Sequence, residues 1–290
     1  LPTQFLQSLP YVYSGHLSIA SEHFVFAEIV YEQSTTSYPN HEVFITDLTG
    51  EDPRRLTDHP AFDTLPSLSP NGQWIVFSSN REGDQAPYFI EAPSSLYIMD
   101  NQGNQLRKLT ELDGGDLTWS WDGNWIAFSH NDYPIADIYI IRLDGSGMRK
   151  LTDGKLRANS PAWSPDGKRI AFAAHDPQIQ GVMDSDIYIV NVDEPDSVQF
   201  LADKYLSDSD PKWSLDGHWI VFTSRRLNSK ADLFLISDDG EKLYRLTEDT
   251  FDDTLLGWSL DTFEILFISV RDGAWGLYKM DVSELVEGVE

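Results

Sequence analysis

Acidic and polar residues recur at one place in this chain, a few residues before a repeated tryptophan or its equivalent. The residues at that place are Asp63, Asp116, Asp210 and Asp253, joined by His16 and Asn159 in the remaining repeats. Carboxylates gathered at the mouth of a channel would concentrate a cationic group or a divalent ion such as calcium. Aspartate also caps turns and strand entries, because its side chain bonds nearby backbone amides. The residues alone leave both interpretations open.

A second group of candidate residues is aromatic and falls in segments that are longer than a tight hairpin needs. These segments span roughly 30–41, 80–95, 130–136, 175–185 and 225–231, and they carry Tyr31, Tyr38, Tyr88, Phe89 and Tyr133. Long loops are where recognition usually sits, and exposed aromatic side chains are typical anchors of a binding surface. The alternative is that these side chains fold down and cap the sheets.

Catalytic motifs are mostly missing from the sequence. No G-x-S-x-G motif is present, which excludes a serine hydrolase of that type. His41 and Glu42 are not followed by a second histidine at the metalloprotease spacing. The chain has no cysteine, so thiolate nucleophiles, disulfides and cysteine-ligated zinc are excluded. We therefore predict no catalytic residue and no cofactor, apart from the divalent ion that the acidic residues would suit.

Internal repeats define the elements that must position these residues. A motif of the form Trp-Ser-x-Asp-Gly begins at Trp119, Trp163 and Trp213, with degenerate copies at Leu68 and Trp258. Each copy is followed by a short apolar run and by a run of the type Asp-Ile-Tyr-Ile, and most units then reach Leu-Thr. The period is about 48 residues, and four short strands per unit at such a period are typical of a propeller blade.

We predict an all-β fold, a six-bladed β-propeller of four-stranded antiparallel blades that forms a single domain over residues 1–290. The predicted blades are 14–55, 56–108, 109–150, 151–200, 201–245 and 246–282. Asp-Gly and Asn-Gly in the turns supply the positive φ angles of tight hairpins. The last unit lacks a clear fourth strand, so we expect residues within 1–13 to supply it and close the ring. Repeated Trp and Phe side chains are predicted to pack between neighbouring sheets.

The charge of the chain limits its partners. The 290 residues include 21 Lys and Arg against 47 Asp and Glu, which gives a formal net charge of −26. Such a chain is repelled by nucleic acid and by an anionic membrane surface. No apolar run approaches the roughly 20 residues of a membrane-spanning helix, and no signal peptide is expected at the first residues. We predict a monomer that binds a protein or peptide, with a cationic partner favoured by the charge.

One repeat pattern carries a resemblance to a known family. The pattern Leu-Thr … Pro-x-Trp-Ser-Pro-Asp-Gly-Lys-x-Ile-Ala-Phe … Asp-Ile-Tyr-Ile resembles the TolB-type propeller repeat, and its best copy lies between Leu151 and Ile189. That repeat occurs in the periplasmic TolB protein, in extracytoplasmic parts of bacterial sensor kinases and beside peptidase domains. The resemblance implies a bacterial propeller in the periplasm or outside the cell. The separate α/β domain of the TolB protein has no counterpart in this sequence.

Two functions are compatible with these observations. The first is a non-catalytic scaffold that binds a protein or peptide on its acidic, long-loop face and at the channel mouth. The second is a metal-dependent, calcium-type hydrolase similar to the lactonase-like propellers, or a small-ligand binder with its site in the central channel. In that second case Asp63, Asn159 and Asp210 would hold the ion.

Overall fold

β-Strands make up nearly all of the regular structure in this protein. The computed structural model describes residues 3–8, 18–20, 23–30, 40–47, 52–82, 94–178, 185–201, 207–225, 230–248, 252–259, 262–271 and 274–286. Within these ranges the one helix, α1, covers only Ser283–Val286. No helix in this part of the chain has the length and apolar character needed to cross a membrane. The all-β fold class is confirmed.

The strands form small sheets in which each strand lies beside the next one along the chain. The chain begins with β1 (Thr3–Ser8), which joins the last sheet. The first sheet contains β2 (Ser18–Ala20), β3 (His23–Val30), β4 (Asn40–Asp47) and β5 (Arg54–Arg55). The second contains β6 (Asp63–Leu68), β7 (Trp74–Ser79), β8 (Ser95–Asp100) and β9 (Arg107–Thr110). Neighbouring strands in both sheets are antiparallel.

The largest sheet has eight strands. Its members are β10 (Gly115–Trp119), β11 (Trp125–Asp132), β12 (Ile135–Arg142), β13 (Arg149–Lys150), β14 (Arg157–Trp163), β15 (Arg169–His175), β16 (Asp186–Asn191) and β17 (Glu194–Phe200). This sheet consists of two runs of consecutive strands, β10 to β13 and β14 to β17. The two runs are joined because β12 pairs in parallel with β14, with Ala136 opposite Arg157.

Two four-stranded sheets follow, and the N-terminal strand completes the second of them, as predicted. The strands are β18 (Asp208–Trp213), β19 (Trp219–Ser224), β20 (Asp232–Ser237) and β21 (Leu243–Arg245), then β22 (Asp253–Trp258), β23 (Glu264–Arg271) and β24 (Ala274–Asp281). β1 pairs antiparallel with β24, with Thr3 opposite Met280 and Ser8 opposite Gly276. This pairing covers an edge that would otherwise expose unpaired amides and carbonyls.

The sheets are small, antiparallel and arranged as in a propeller, but their number does not settle the number of blades. Two sets of strands share the eight-stranded sheet, so six blades stay a prediction. The chain divides into two compact units, Leu1–Val12 with Pro134–Asp137 and Lys150–Glu290, and Tyr13–Tyr133 with Ile138–Arg149. Each unit has its own buried apolar clusters. The single-domain boundaries also stay a prediction.

Aromatic side chains recur at equivalent places in the core. Second-strand and third-strand rings stack with centroids 5.6 to 6.0 Å apart in the pairs Phe26–Phe44, Phe77–Tyr97, Phe128–Tyr139, Phe172–Tyr188, Phe222–Phe234 and Phe267–Tyr278. The indole Nε1 atoms of Trp119, Trp213 and Trp258 each donate at 3.1 Å to a carbonyl of the preceding first strand. The repeated tryptophan therefore joins successive sheets, which confirms its predicted packing role.

Side-chain hydrogen bonds build the Ser-x-Asp-Gly turns. Ser164 Oγ donates to Asp166 Oδ1 at 2.6 Å and accepts from the amide of Arg169 at 2.9 Å. Asp166 also accepts from the amide of Lys168, and Gly167 has a φ of 69°. Burial raises the pKa of Asp166, but the bonds from Ser164 and Lys168 outweigh it and hold that pKa below its ordinary value. The same bonds recur in the turns that begin at Ser120 and Ser214.

Candidate functional site

A bulge with left-handed backbone recurs in the first strands. It lies three residues before the repeated tryptophan or its equivalent and interrupts the pairing of each strand with its neighbour. The residues there are Leu65, Asp116, Ser160 and Asp210, with φ of 53°, 46°, 49° and 54°. Residues other than glycine adopt this conformation at a cost, which is accepted where the surroundings over-determine it and often where a site is built. The bulges are therefore candidate positions for function.

Asp210 presents its carboxylate at one of these bulges. The residue is exposed, and its Oδ2 accepts a hydrogen bond from Ser209 Oγ at 3.0 Å. Its Oδ1 accepts a longer bond from Ser160 Oγ, at 3.5 Å, so the two bulge residues of β14 and β18 lie side by side. Asn159 precedes Ser160, is half-buried and pairs with Ala173 of β15. The structure thus places two of the predicted site residues, Asn159 and Asp210, on the first strands of two successive sets of strands, β14 and β18.

Asp116 occupies the equivalent bulge on β10, within the other compact unit. It is half-buried and has the same left-handed backbone as Asp210. Aspartate tolerates this conformation better than most residues, because its short polar side chain bonds locally. The predicted site residues Asp116 and Asp210 are therefore structurally equivalent.

Asp63 occupies a different position, at the start of β6. Its side chain is fully buried, and Nη2 of Arg81 donates to both carboxylate oxygens at 2.8 and 2.9 Å. The Arg81 guanidinium lies over the rings of Phe77 and Tyr97, at 5.3 and 4.8 Å from their centroids. The carboxylate is thus part of a buried ion pair inside the sheet. Its predicted binding role is not tested by this placement.

Asp253 shares the position of Asp63, and so does a residue that the sequence analysis did not select. Asp208 and Asp253 begin β18 and β22, are buried and lie opposite Ser224 and Ser269 of the next strand. Ser224 Oγ donates to the Asp208 carboxylate. Asp63, Asp208 and Asp253 all stand five residues before the repeated position, whereas Asp116 and Asp210 stand three before it. The predicted ring therefore combines different positions, since Asn159 stands four residues before Trp163, and the spacing was the signal that separates them.

Carboxylates at the start of the third strand form a second repeated network that sequence reasoning missed. Each is buried and pairs with a cation two residues before the threonine of Leu-Thr, in Glu42–Arg55 at 2.8 Å, Asp137–Lys150 at 3.0 Å and Asp232–Arg245 at 2.7 Å. The threonine hydroxyls of Thr57 and Thr152 donate to the same carboxylates at 2.5 Å. This network explains the recurrence of Leu-Thr and of the acidic residue before Ile-Tyr-Ile.

The predicted aromatic anchors are only partly described. His16, Tyr31, Tyr38, Tyr88 and Phe89 lie outside the described residues. Tyr133 is 86% exposed at the turn between β11 and β12. The strands end at Asp132 and resume at Ile135, so the expected long loop at 130–136 is wrong. The strands extend further than their apolar runs, which leaves a two-residue turn with Tyr133 at its tip.

Acidic residues at the fourth-to-first connections are partly balanced by cations. Asp252 contacts Lys230 at 2.6 Å and Arg225 at 3.4 Å. The hydrogen bond from the Lys230 ammonium lowers the pKa of the Asp252 carboxyl, outweighing the effect of burial. In the other unit His130 Nδ1 contacts the Asp113 carboxylate. Across the described parts of the chain, no three His, Asp or Glu side chains come together in a way that could hold a metal ion.

Curated relatives match parts of this chain. No protein-family model matches it. The TolB homolog of Chlorobium luteolum is 25% identical over 167 residues, which cover 55% of this chain and 35% of the relative. The uncharacterized peptidase YuxL of Bacillus subtilis is 29% identical over 150 residues, which cover 39% of this chain and 22% of the relative. The chain thus spans well under half the length of these two relatives.

Solved structures share the fold over most of the chain. TolB of Acinetobacter baumannii has a TM-score of 0.60 at 18% identity and covers 88% of this chain and 63% of its own. A puromycin-hydrolyzing peptidase of Mycobacterium tuberculosis has a TM-score of 0.68 at 17% identity, over 93% of this chain and 44% of its own. An oligogalacturonate lyase in complex with manganese has a TM-score of 0.64 at 17% identity, over 95% and 78%. The repeated strands of this chain are thus similar in sequence to those of a TolB homolog, and its β-propeller fold is shared with a TolB structure.

Proposed function

We propose that this protein is a non-catalytic scaffold that binds a protein or peptide through the polar bulges of its first strands. The observation that carries the proposal is Asp210, an exposed carboxylate on left-handed backbone, held by Ser209 and Ser160. The TolB-type repeat supports protein binding in general. We also propose that six blades form a single domain, and that the protein is a monomer in the periplasm or outside the cell.

Fixed geometry at the bulge favours recognition. The backbone of Asp210 and its hydrogen bonds hold the carboxylate before a partner arrives, so less ordering accompanies binding. An exposed carboxylate in a chain with a net charge of −26 attracts a cationic group over the whole approach. We therefore propose that the partner presents a lysine, an arginine or a free amino group to Asp210, and in the other unit to Asp116.

Selection of peptides on the immobilised protein tests this proposal. Peptides enriched from a random library on the wild-type protein are expected to contain cationic residues. Asp210→Asn and Asp116→Asn remove charge but keep a residue that tolerates left-handed backbone. We expect the enriched peptides to lose about tenfold in affinity for the double variant, because a charge-assisted bond contributes about 1.5–3 kcal/mol.

Glu241→Gln is the matched control, since Glu241 is an exposed acid in the β20–β21 turn, away from the bulges. It removes one negative charge and is expected to leave the affinity unchanged. Equal affinity of the wild-type protein and the double variant would move the site away from the bulges. Enrichment of acidic peptides would contradict the proposed charge complementarity.

The second candidate is a metal-dependent hydrolase or a small-ligand binder, and it has its own support. A peptidase and a lyase in complex with manganese share this fold. The ion would be calcium-like and held by Asn159 and Asp210, which lie on β14 and β18 of one compact unit. Thermal unfolding with calcium and with a chelator tests it, because an ion that binds only the folded protein raises the melting temperature. Identical curves would count against this candidate.

A further inference from the structure

A cleft of about 400 Å³ lies between the last two sheets of one compact unit. One side is formed by β21 and the residues that follow it, and the other by β1, β23 and β24. The lining residues are Thr3, Arg245, Leu246, Thr247, Glu248, Arg271 and Met280. None of them belongs to the bulges, so this cleft is independent of the function proposed above.

Two guanidinium groups line this one cleft. Arg245 pairs with Asp232 through Nη2 at 2.7 Å, while its Nε–H is buried and has no acceptor among the described residues. Arg271 Nη1 donates to Thr3 Oγ1 at 3.0 Å, and its guanidinium lies 4.5 Å from the centroid of the Tyr278 ring. Guanidinium groups present planar forks of donors that match a carboxylate. Two arginines against one acid, Glu248, in the lining of one cleft are also unusual for a chain with a net charge of −26.

Two apolar residues line the cleft together with Thr3, Thr247 and Glu248. Leu246 and Met280 are buried and belong to the apolar cluster of the last two sheets. Apolar contacts in a pocket add to the polar groups that fix a ligand's orientation. Glu248 is exposed and is the acidic residue of the lining. Its charge opposes an anion, so a ligand carboxylate is expected to contact the arginines and not Glu248.

We propose that this cleft binds the carboxylate of a small ligand with an apolar side chain, such as the free C-terminal residue of a peptide or a free organic acid. Arg271 and Arg245 are the anion-binding groups, and Leu246 and Met280 contact the apolar part. Arg271 is the residue to substitute, because loss of Arg245 would leave the buried Asp232 without its cation.

Calorimetric titration of the whole chain with N-acetyl-leucine and with its amide tests the proposal. We expect the acid to bind with a dissociation constant of about 0.1–1 mM and the amide at least tenfold more weakly. Arg271→Gln is expected to weaken the acid at least tenfold. Arg107→Gln, at an exposed arginine that donates to the Leu143 carbonyl, is the matched control and should bind as wild type.

Glu248→Gln keeps the proposal testable if Arg271→Gln does not fold. Removal of its opposing charge is expected to tighten binding of the acid by about twofold to fivefold at low salt. The proposal would be overturned if the acid and the amide bound equally, or if the acid did not bind at about 10 mM. A folded Arg271→Gln variant that binds the acid with wild-type affinity would also overturn it. An acetylated tripeptide with a free carboxylate separates the two sources. Tighter binding of the peptide identifies a chain end, tighter binding of the single residue identifies a free acid, and either result supports the proposed chemistry.

Discussion

Arg81→Met tests whether a buried ion pair holds the first strand of the second sheet. The Asp63 side chain is 0% exposed and the Arg81 side chain 12% exposed. Methionine keeps much of the apolar contact with Phe77 and Tyr97 but leaves the carboxylate buried without its cation. Removing one partner of a buried pair costs about 3–5 kcal/mol, and loss of the two cation–π contacts adds about 0.5–1 kcal/mol.

The expected fall in melting temperature is about 6–10 °C, since a chain of this size loses roughly 1.6 °C for each kcal/mol. Thermal unfolding followed by tryptophan fluorescence measures it. Lys155→Met is the matched control, because the Lys155 side chain is 79% exposed in its pair with Asp153. Surface pairs contribute about 0–1 kcal/mol, so this control should melt within about 2 °C of the wild-type protein.

A double variant separates the buried charge from the lost contacts. Asp63→Asn together with Arg81→Met leaves a neutral amide in the sheet, and a buried amide costs less than a buried unpaired charge. We expect the double variant to recover at least half of the stability that Arg81→Met loses. A double variant no more stable than Arg81→Met, or wild-type melting of Arg81→Met, would refute this reasoning.

Three further predictions concern the repeats. Trp213→Phe loses the indole bond to the preceding first strand, and the free energy of unfolding should fall by about 1–3 kcal/mol in denaturant titration. Ser237→Ala should raise the pKa of Asp239, because the Ser237 hydroxyl is the main group that lowers it, and NMR titration measures this pKa. In the wild-type protein, the stability that this bond contributes should be lost as the pH falls through the depressed pKa. Gly114→Ala should cost about 1–3 kcal/mol, because the added Cβ would lie 2.4 Å from a Leu96 methyl; unchanged melting would contradict the tight packing.

Much of the architecture could be predicted because local chemistry repeats. In the turns that begin at Ser120, Ser164 and Ser214, a serine and an aspartate bond the turn amides, and the glycine has a positive φ. The N-terminal strand could be assigned to the last sheet because the last repeat lacked a fourth strand and the extended segment within residues 1–13 belonged to no other repeat. The turn at Tyr133 could not be predicted, since β11 and β12 continue through polar residues that the apolar pattern does not mark.

The candidate site was harder to predict because bulges break the alternation of strand residues. Counting back from Trp213 passes Asp210 at the bulge and then reaches Asp208 at the strand start. The extra residue of a bulge changes the face on which earlier side chains point. Acidic residues at the two positions therefore look alike in the sequence, although one carboxylate is exposed and the other is buried.

The sequence by itself determined the period, the apolar core of the strands, the Asp-Gly turns and the partner of the first strand, because these depend on patterns within one repeat or on counting repeats. Tertiary structure decided which carboxylates are exposed, since Arg81 reaches Asp63 only after β6 and β7 pair. It also decided that Thr3, Arg245 and Arg271 line one cleft, because β1 must first pair with β24. Charge pairing between distant residues is a property of packing, because it depends on which strands lie side by side.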